Sequence, residues 1–209
     1  GRPLNLNWAS EHIPAIVNAW YPGQEGGLAI ADVLFGDQNP SGKITATFPR
    51  NVGQIPIYYS YRNTGRPLQG DNFQKFRSNY LDVSNTPLYP FGYGLSYTSF
   101  NYGVIELSSA KLKGNQQLTA KITVTNSGKV AGEEVVQLYY NDLVASVTPS
   151  VKKLMAFQKI HLEPNEEKEV SFTCDASQFS FIDKQLNRIT EPGDIELMIN
   201  QFKQRIYVE

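Results

Sequence analysis

Residues 118–125 read LTAKITVT, with an apolar side chain at every second position. Leu118, Ala120, Ile122 and Val124 alternate with three threonines and a lysine. Successive side chains of a strand point to opposite faces, so this period of two predicts a β-strand with one buried face. The next four residues, NSGK at 126–129, are of the types that form turns and end the predicted strand.

The same alternation recurs downstream and predicts a series of short strands. Six or seven such strands, separated by turns over about 105 residues, are typical of an antiparallel β-sandwich of the immunoglobulin or fibronectin type. We therefore expect a mainly β fold, with this sandwich at residues 103–209. The further strands are predicted at 134–140, 154–162, 170–174, 195–200 and 205–208.

Residues 1–36 have a helical pattern instead. Pro14 suits the first turn of a helix, where its missing N–H costs nothing, and it predicts a helix that ends at Pro22-Gly23. One face of this helix would be apolar. That face consists of Ile13, Ile16, Val17 and Trp20.

A second helix is predicted over residues 26–35, with Gly36 placed to cap its C-terminus. It is apolar nearly all round, which is typical of a helix buried on several sides. Two short helices cannot enclose a core, so we expect residues 1–50, with a turn at 39–42 and a strand at 43–48, to be an incomplete α/β segment. Its apolar surface over residues 1–36 should then be exposed.

Residues 51–102 connect these two parts and are rich in aromatic side chains. Eight of the twelve tyrosines of the chain lie between Tyr58 and Tyr102. Solvated linkers are poor in aromatics, so we expect an ordered connector laid over other surfaces.

The composition excludes several classes of protein. With 41% hydrophobic residues the 209-residue chain can fill a core, and a net charge of −1 gives no footprint for nucleic acid or an anionic membrane. No apolar run approaches the roughly 20 residues that span a bilayer. One cysteine and two histidines exclude an internal disulfide and leave little for a metal site.

Three ordered blocks of sequence carry a resemblance to a known family. The first is WYPGQEGG at 20–27, continued by ADVLFG at 31–36 and NPSGK at 39–43. The second is PLYPFGYGLSY at 87–97, and the third is GEEVVQLY at 132–139, followed by Lys153, Leu154 and Phe157. Together they resemble glycoside hydrolase family 3, in particular its bacterial β-glucosidases and β-xylosidases.

The resemblance implies a parent enzyme built from a (β/α)8 barrel, an α/β sandwich domain and a fibronectin type III-like domain. This chain would hold only the end of the α/β domain, the connector and the terminal module, with the rest of the enzyme as its partner. Retaining hydrolysis needs two carboxyl groups roughly 5–5.5 Å apart. The family nucleophile lies on the barrel and the acid/base glutamate lies upstream of the first block. Glu11, the sole carboxylate before Trp20, matches no acid/base motif, so we assign no catalytic residue.

Other residues of the first block have two interpretations each. Glu25 and Asp32 are either carboxylates near the sugar or structural residues. In the structural interpretation, the helix dipole favours Glu25 in the first turn, and Asp32 is a paired polar group on a buried helix. Gly23, Gly26 and Gly27 suggest a phosphate cradle, but no P-loop lysine follows them, which favours tight packing of the helix start.

The aromatic connector either stacks on sugar rings or holds two domains together, and composition favours the second. Arg62 and Tyr80 are the candidates for residues that approach the substrate. His12 and His161 share no metal-ligand spacing, so structural roles are expected for both, and no cofactor or metal is implied. Cys174 falls on the inward register of a strand and is expected to be an inert core thiol.

Two functions follow. The first is the C-terminal portion of a family 3 retaining β-glycosidase that acts on terminal β-glucosyl or β-xylosyl residues, structural and inactive by itself. The alternative is a non-catalytic carbohydrate-binding or interaction module. The family's usual setting implies a periplasmic or secreted protein, and the apolar face of residues 1–36 allows a homodimer.

Overall fold

The structure is a computed structural model, and it describes residues 1–70 and 72–209. The chain forms two compact units, each described by itself. Unit 1 comprises residues 1–59 and 64–97, and unit 2 comprises residues 60–63 and 98–209.

Unit 2 is the predicted β-sandwich. A 3-10 helix, Ala176–Phe179, follows its seventh strand. The strands are β1 (Phe100–Tyr102), β2 (Glu106–Leu107), β3 (Lys111–Leu112), β4 (Gln117–Asn126), β5 (Gly132–Asp142), β6 (Lys153–Leu162), β7 (Glu167–Asp175), β8 (Phe181–Ile182), β9 (Arg188–Ile189), β10 (Gly193–Ile199) and β11 (Phe202–Val208).

Two sheets and a small hairpin make up this unit. In the first sheet, β4 pairs with β7 along one edge and with β1 and β2 along the other. The second sheet has the order β3-β11-β10-β5-β6, and β8 pairs with β9 separately. All pairs are antiparallel except β3 with β11, which are parallel.

The apolar side chains at alternate positions of β4 lie in the core of the sandwich. Leu118, Ala120, Ile122 and Val124 are at most 1% exposed and belong to one hydrophobic cluster with inward residues of β5, β7, β10 and β11. Burial of such side chains contributes roughly 25 cal/mol per Å² of apolar area. The five strands predicted downstream are present at nearly the predicted bounds, so the expected sandwich is confirmed.

The helix predicted from Pro14 is wrong. The chain instead forms helix α1 over Asn7–His12 and leaves the helical conformation at Ile13, whose φ and ψ are −107° and 120°. A proline disfavours the α conformation of the residue before it, because its ring clashes with that residue's backbone and Cβ. Pro14 therefore ends a helix here, and residues 13–20 are not helical.

The second helix is confirmed as α2 over Gly26–Phe35. Gly36 has φ 88° and its N–H donates to the carbonyls of Asp32 and Val33, as expected of a glycine cap. The expected exposed apolar surface is also present: Trp8 is 67%, Leu28 is 63% and Phe35 is 85% exposed. No described helix is long and apolar enough to cross a membrane.

The remainder of unit 1 contains little regular structure, and the turn at 39–42 and strand at 43–48 are not formed. Ile44 exchanges backbone hydrogen bonds with Gly92 and Tyr93, and Phe48 makes an isolated antiparallel bridge with Tyr89. These contacts join the two segments without forming a regular strand. A 3-10 helix, Val52–Gln54, follows.

Candidate functional site

Glu11 and the two carboxylates singled out in the first block, Glu25 and Asp32, lie in unit 1. Glu11 is exposed on α1, and Glu25 is exposed at the N-cap of α2 without a side-chain capping bond. Asp32 is half-buried on α2, and its carboxylate has no hydrogen bond or ion pair with any described residue. The expectation of a buried, paired Asp32 is therefore wrong, because the helix itself is largely exposed.

The glycines at the start of α2 are partly explained by packing. A Cβ added to Gly26 would lie 2.7 Å from Cγ of Pro22, so the predicted tight packing is confirmed there. Gly27 has no neighbour within 4 Å, and Gly23 adopts φ 74°, which favours glycine for its backbone.

The first and second motif blocks bind to each other through their polar groups. Lys43 Nζ donates to the carbonyl of Gly94 at 3.0 Å, and Asn39 Oδ1 accepts from Ser96 Oγ at 2.9 Å and from the Tyr97 N–H at 2.8 Å. A Cβ on Gly94 would collide with the carbonyl oxygen of Gly42. These residues of the recognisable sequence thus have structural roles.

Aromatic rings of unit 1 pack on one another. Phe48 contacts both Trp20, with centroids 5.9 Å apart, and Tyr89, at 6.3 Å, while Tyr89 stacks on Tyr93 at 5.2 Å. Offset and edge contacts of this kind add about 0.5–1.5 kcal/mol per pair beyond area burial. For these rings the packing interpretation is supported over sugar stacking.

The two substrate-contact candidates belong to different units. Tyr80 lies in unit 1 and is 42% exposed, and its N–H donates to Asn85 Oδ1 at 3.1 Å. Arg62 lies in unit 2, where its backbone pairs with Ser150, and its side chain is exposed at the mouth of a cleft.

This cleft of unit 2 has a volume of about 270 Å³. Tyr140 and Phe179 form its floor, with ring centroids 5.2 Å apart and planes nearly perpendicular. The loop between β5 and β6 contributes one wall, and the β8–β9 hairpin contributes the other. Its charged side chains are Arg62, Asp142, Lys153 and Arg188.

The sequence singles out Arg62 only as a residue that approaches the substrate of the parent enzyme, and it does not indicate Asp142, Lys153 and Arg188 as members of this cleft. Asp142 and Arg188 carry no motif, and Lys153 belongs to the third motif block, which does not indicate what its side chain faces. Pro149, in the loop between β5 and β6, marks an interruption but does not say what the loop faces.

The histidines have local structural roles, as expected. His12 stacks on Trp8 at 4.9 Å and its Nδ1 lies 2.8 Å from the Trp8 carbonyl. His161 Nε2 lies 3.1 Å from Glu163 Oε1 on an exposed surface. The described residues contain no group of three side chains that could hold a metal ion.

Cys174 lies on β7 inside the hydrophobic cluster and is 3% exposed. Burial is the larger cause and the negative charge of the nearby Asp175 the smaller one, and together they raise the pKa of this thiol from 9.0 to about 11. An inert thiol is expected from this environment, because the thiolate is the reactive form.

A pH experiment tests the state of Cys174. Since the folded pKa is raised, the thiol contributes stability that is present below about pH 9 and lost as the pH rises towards 11. The free energy of unfolding of the native protein should therefore fall relative to that of Cys174→Ala over this interval. Other groups that titrate cancel in the comparison, and a constant difference would show that burial does not perturb the thiol.

Comparison with known proteins assigns both units. Residues 1–97 match the glycosyl hydrolase family 3 C-terminal domain, and residues 134–202 match a fibronectin type III-like domain. The chain is 48% identical over 206 residues to a periplasmic β-glucosidase of Salmonella typhimurium, covering 99% of this chain and 27% of that protein. It is 42% identical to a β-xylosidase of Formosa agariphila, covering 95% of this chain and 27% of the relative.

A solved structure gives the same result. A mutant β-glucosidase from Listeria innocua, in complex with laminaribiose, superposes with a TM-score of 0.92 at 38% identity, over 100% of this chain and 29% of that one. The chain thus spans about a quarter of the length of the relatives it matches. Both units are thus matched in order: the chain carries the glycosyl hydrolase family 3 C-terminal domain, followed by a fibronectin type III-like domain.

Proposed function

We propose that this chain is the structural, non-catalytic C-terminal part of a retaining β-glycosidase, whose complete form releases terminal β-D-glucosyl or β-D-xylosyl residues. The observation that carries the proposal is the match to a β-glucosidase across 99% of this chain but only 27% of the relative. Most of such an enzyme, including any group that attacks the anomeric carbon, then lies outside these 209 residues.

The exposed apolar surface of residues 1–36 supports this proposal. Leu28, Leu34 and Phe35 of α2 are each more than 60% exposed. Contiguous exposed apolar area marks an interface. We propose that the rest of the parent enzyme covers this surface, and self-association into a homodimer is the competing way to cover it. In this proposal residues 1–50 are the end of the α/β domain, residues 51–102 are the connector and residues 103–209 are the terminal module.

Two further parts of the proposal concern substrate contacts and cellular location. We propose that Arg62 and Tyr80, both exposed, approach the substrate of the complete enzyme. The name of the Salmonella relative supports a periplasmic or secreted location.

A hydrolysis assay tests the proposal. The purified 209-residue chain should release no p-nitrophenol from p-nitrophenyl β-D-glucoside or β-D-xyloside, because retaining hydrolysis needs two carboxyl groups held at a fixed separation. The complete product of the gene, assayed in parallel, should hydrolyse at least one of the two.

Activity of the 209-residue chain would contradict the proposal if it co-purified with the chain and disappeared in Glu25→Gln or Asp32→Asn. Those variants remove the two carboxylates that the first motif block offers. An inactive full-length product would equally contradict the proposed reaction.

A further inference from the structure

The cleft of unit 2 has an excess of positive charge. Arg62, Lys153 and Arg188 line it, against the single carboxylate of Asp142. None of the three cations forms an ion pair with a residue that the structure describes. A second carboxylate, that of Glu191, does not line the cleft, but its charge helps to raise the pKa of Asp142, and it accepts the Ser146 N–H at 2.8 Å.

Two of the three cations, Arg188 and Lys153, contact uncharged groups. Arg188 Nη1 donates to Ser180 Oγ at 3.2 Å, and Lys153 Nζ lies 5.6 Å above the ring of Tyr140. Both contacts leave N–H donors of these side chains unused. Guanidinium groups match carboxylate and phosphate oxygens with two parallel hydrogen bonds, so Arg62 and Arg188 suit an oxyanion.

The floor of the cleft adds an apolar surface of limited size. Tyr140 and Phe179 are 7% and 3% exposed, so their ring contact is fixed within the core. A volume of about 270 Å³ lies at the lower end of small-molecule pockets, which suits a ligand of about one sugar ring. Cations at the mouth above an aromatic floor are the arrangement that recognises a ring with one charged substituent.

We propose that this cleft binds a small organic oxyanion, a sugar-sized ring that carries a carboxylate or a phosphate. The proposal concerns only side chains of unit 2, of which Arg62 alone is also proposed to approach the substrate of the complete enzyme. Asp142 opposes the ligand: burial raises the pKa of its carboxyl group, while its charge when ionised repels an incoming anion.

Calorimetry on the full 209-residue chain tests the proposal with three matched ligands. Glucuronate and glucose 6-phosphate carry the two oxyanions on the same ring, and glucose is the neutral control. At least one of the anions should bind with saturable heat that weakens as salt is raised, and glucose should bind at least tenfold more weakly. Which of the two binds identifies the oxyanion; no binding of either, or binding of glucose with equal affinity, would overturn the proposal.

Substitutions place the ligand in the cleft. Arg62→Gln and Arg188→Gln should each weaken binding about tenfold, since a hydrogen bond to a charged group has about that effect. Asp142→Asn should tighten it several-fold, because the amide oxygen can still accept the Val144 N–H while the opposing charge is removed. Arg205→Gln, on β11 outside the cleft, is the matched control and should bind as the native chain does.

Unchanged affinity in both Arg62→Gln and Arg188→Gln would assign the binding to another site and reject the cleft. Thermal unfolding of each variant verifies that the sandwich is intact. The hydrolysis assay does not enter this experiment, so either proposal can fail without the other.

Discussion

Asn126→Asp is expected to destabilise unit 2 by about 3–5 kcal/mol at neutral pH, the range for an uncompensated buried charge. Asn126 ends β4 and is fully buried. Its Nδ2 donates to the carbonyls of Val130 at 2.8 Å and Leu162 at 3.0 Å, while its Oδ1 accepts from Thr98 Oγ1 at 2.6 Å and from the Gly128 N–H at 3.1 Å. A carboxylate can keep the two accepted bonds but places negative charge against two carbonyl oxygens.

The loss should depend on pH with a definite sign. The introduced carboxyl group would be buried beside two carbonyls, and none of the hydrogen-bond partners of Asn126 is a cation. Its pKa should therefore rise above the unfolded value of about 4. The folded state then holds the proton more tightly, so the variant should approach the native stability below pH 4 and lose it as the pH rises.

Urea unfolding at about pH 4.5 and pH 7.5 measures this difference. Asn101→Asp is the matched control, because Asn101 is exposed on β1, and it should change the free energy of unfolding by less than about 0.5 kcal/mol. Equal, small losses for the two variants would mean that Asn126 does not hold the β4 turn together.

The second large effect is expected for Leu197→Ala. Leu197 is fully buried in β10, whose neighbours in the sheet are β5 and β11. Both flanking strands limit how far the site can collapse, so the lost transfer energy and the cavity should together cost about 3–5 kcal/mol. Chemical unfolding should be followed by far-UV circular dichroism. Tryptophan fluorescence would not report on unit 2, because both tryptophans lie in unit 1.

Leu186→Ala removes the same atoms from a side chain that is 83% exposed and should be nearly neutral. If Leu197→Ala were as mild as Leu186→Ala, the core between the two sheets would be more plastic than its complete burial indicates.

The strands could be predicted from the sequence because a half-buried strand must alternate, and alternation needs no knowledge of its partner. The run from Leu118 to Val124 is an example, and its register in the sandwich follows from which face is apolar. Pro14 misled the prediction because the same residue can begin a helix or end one. What precedes it, the run Asn7–His12, decided the outcome.

The candidate site was less predictable for a physical reason. Arg62, Asp142 and Arg188 lie in three segments that only the folded chain brings to one cleft. No spacing rule connects them, since the distances between them depend on the β5–β6 loop and the β8–β9 hairpin. Motif blocks, by contrast, were easy to recognise, and their polar residues turned out to serve packing within unit 1.

The position of the last strand has a consequence for biosynthesis. β11 lies between β3 and β10, so residues 202–208 are an interior strand of the five-stranded sheet although they are translated after the other strands described for this unit. While the ribosome is still adding them, β3 has no partner and β10 carries an open edge of the kind that recruits other nascent chains. The sandwich therefore closes only after β11 has been made, and a message truncated within these codons yields a sheet that lacks an inner strand.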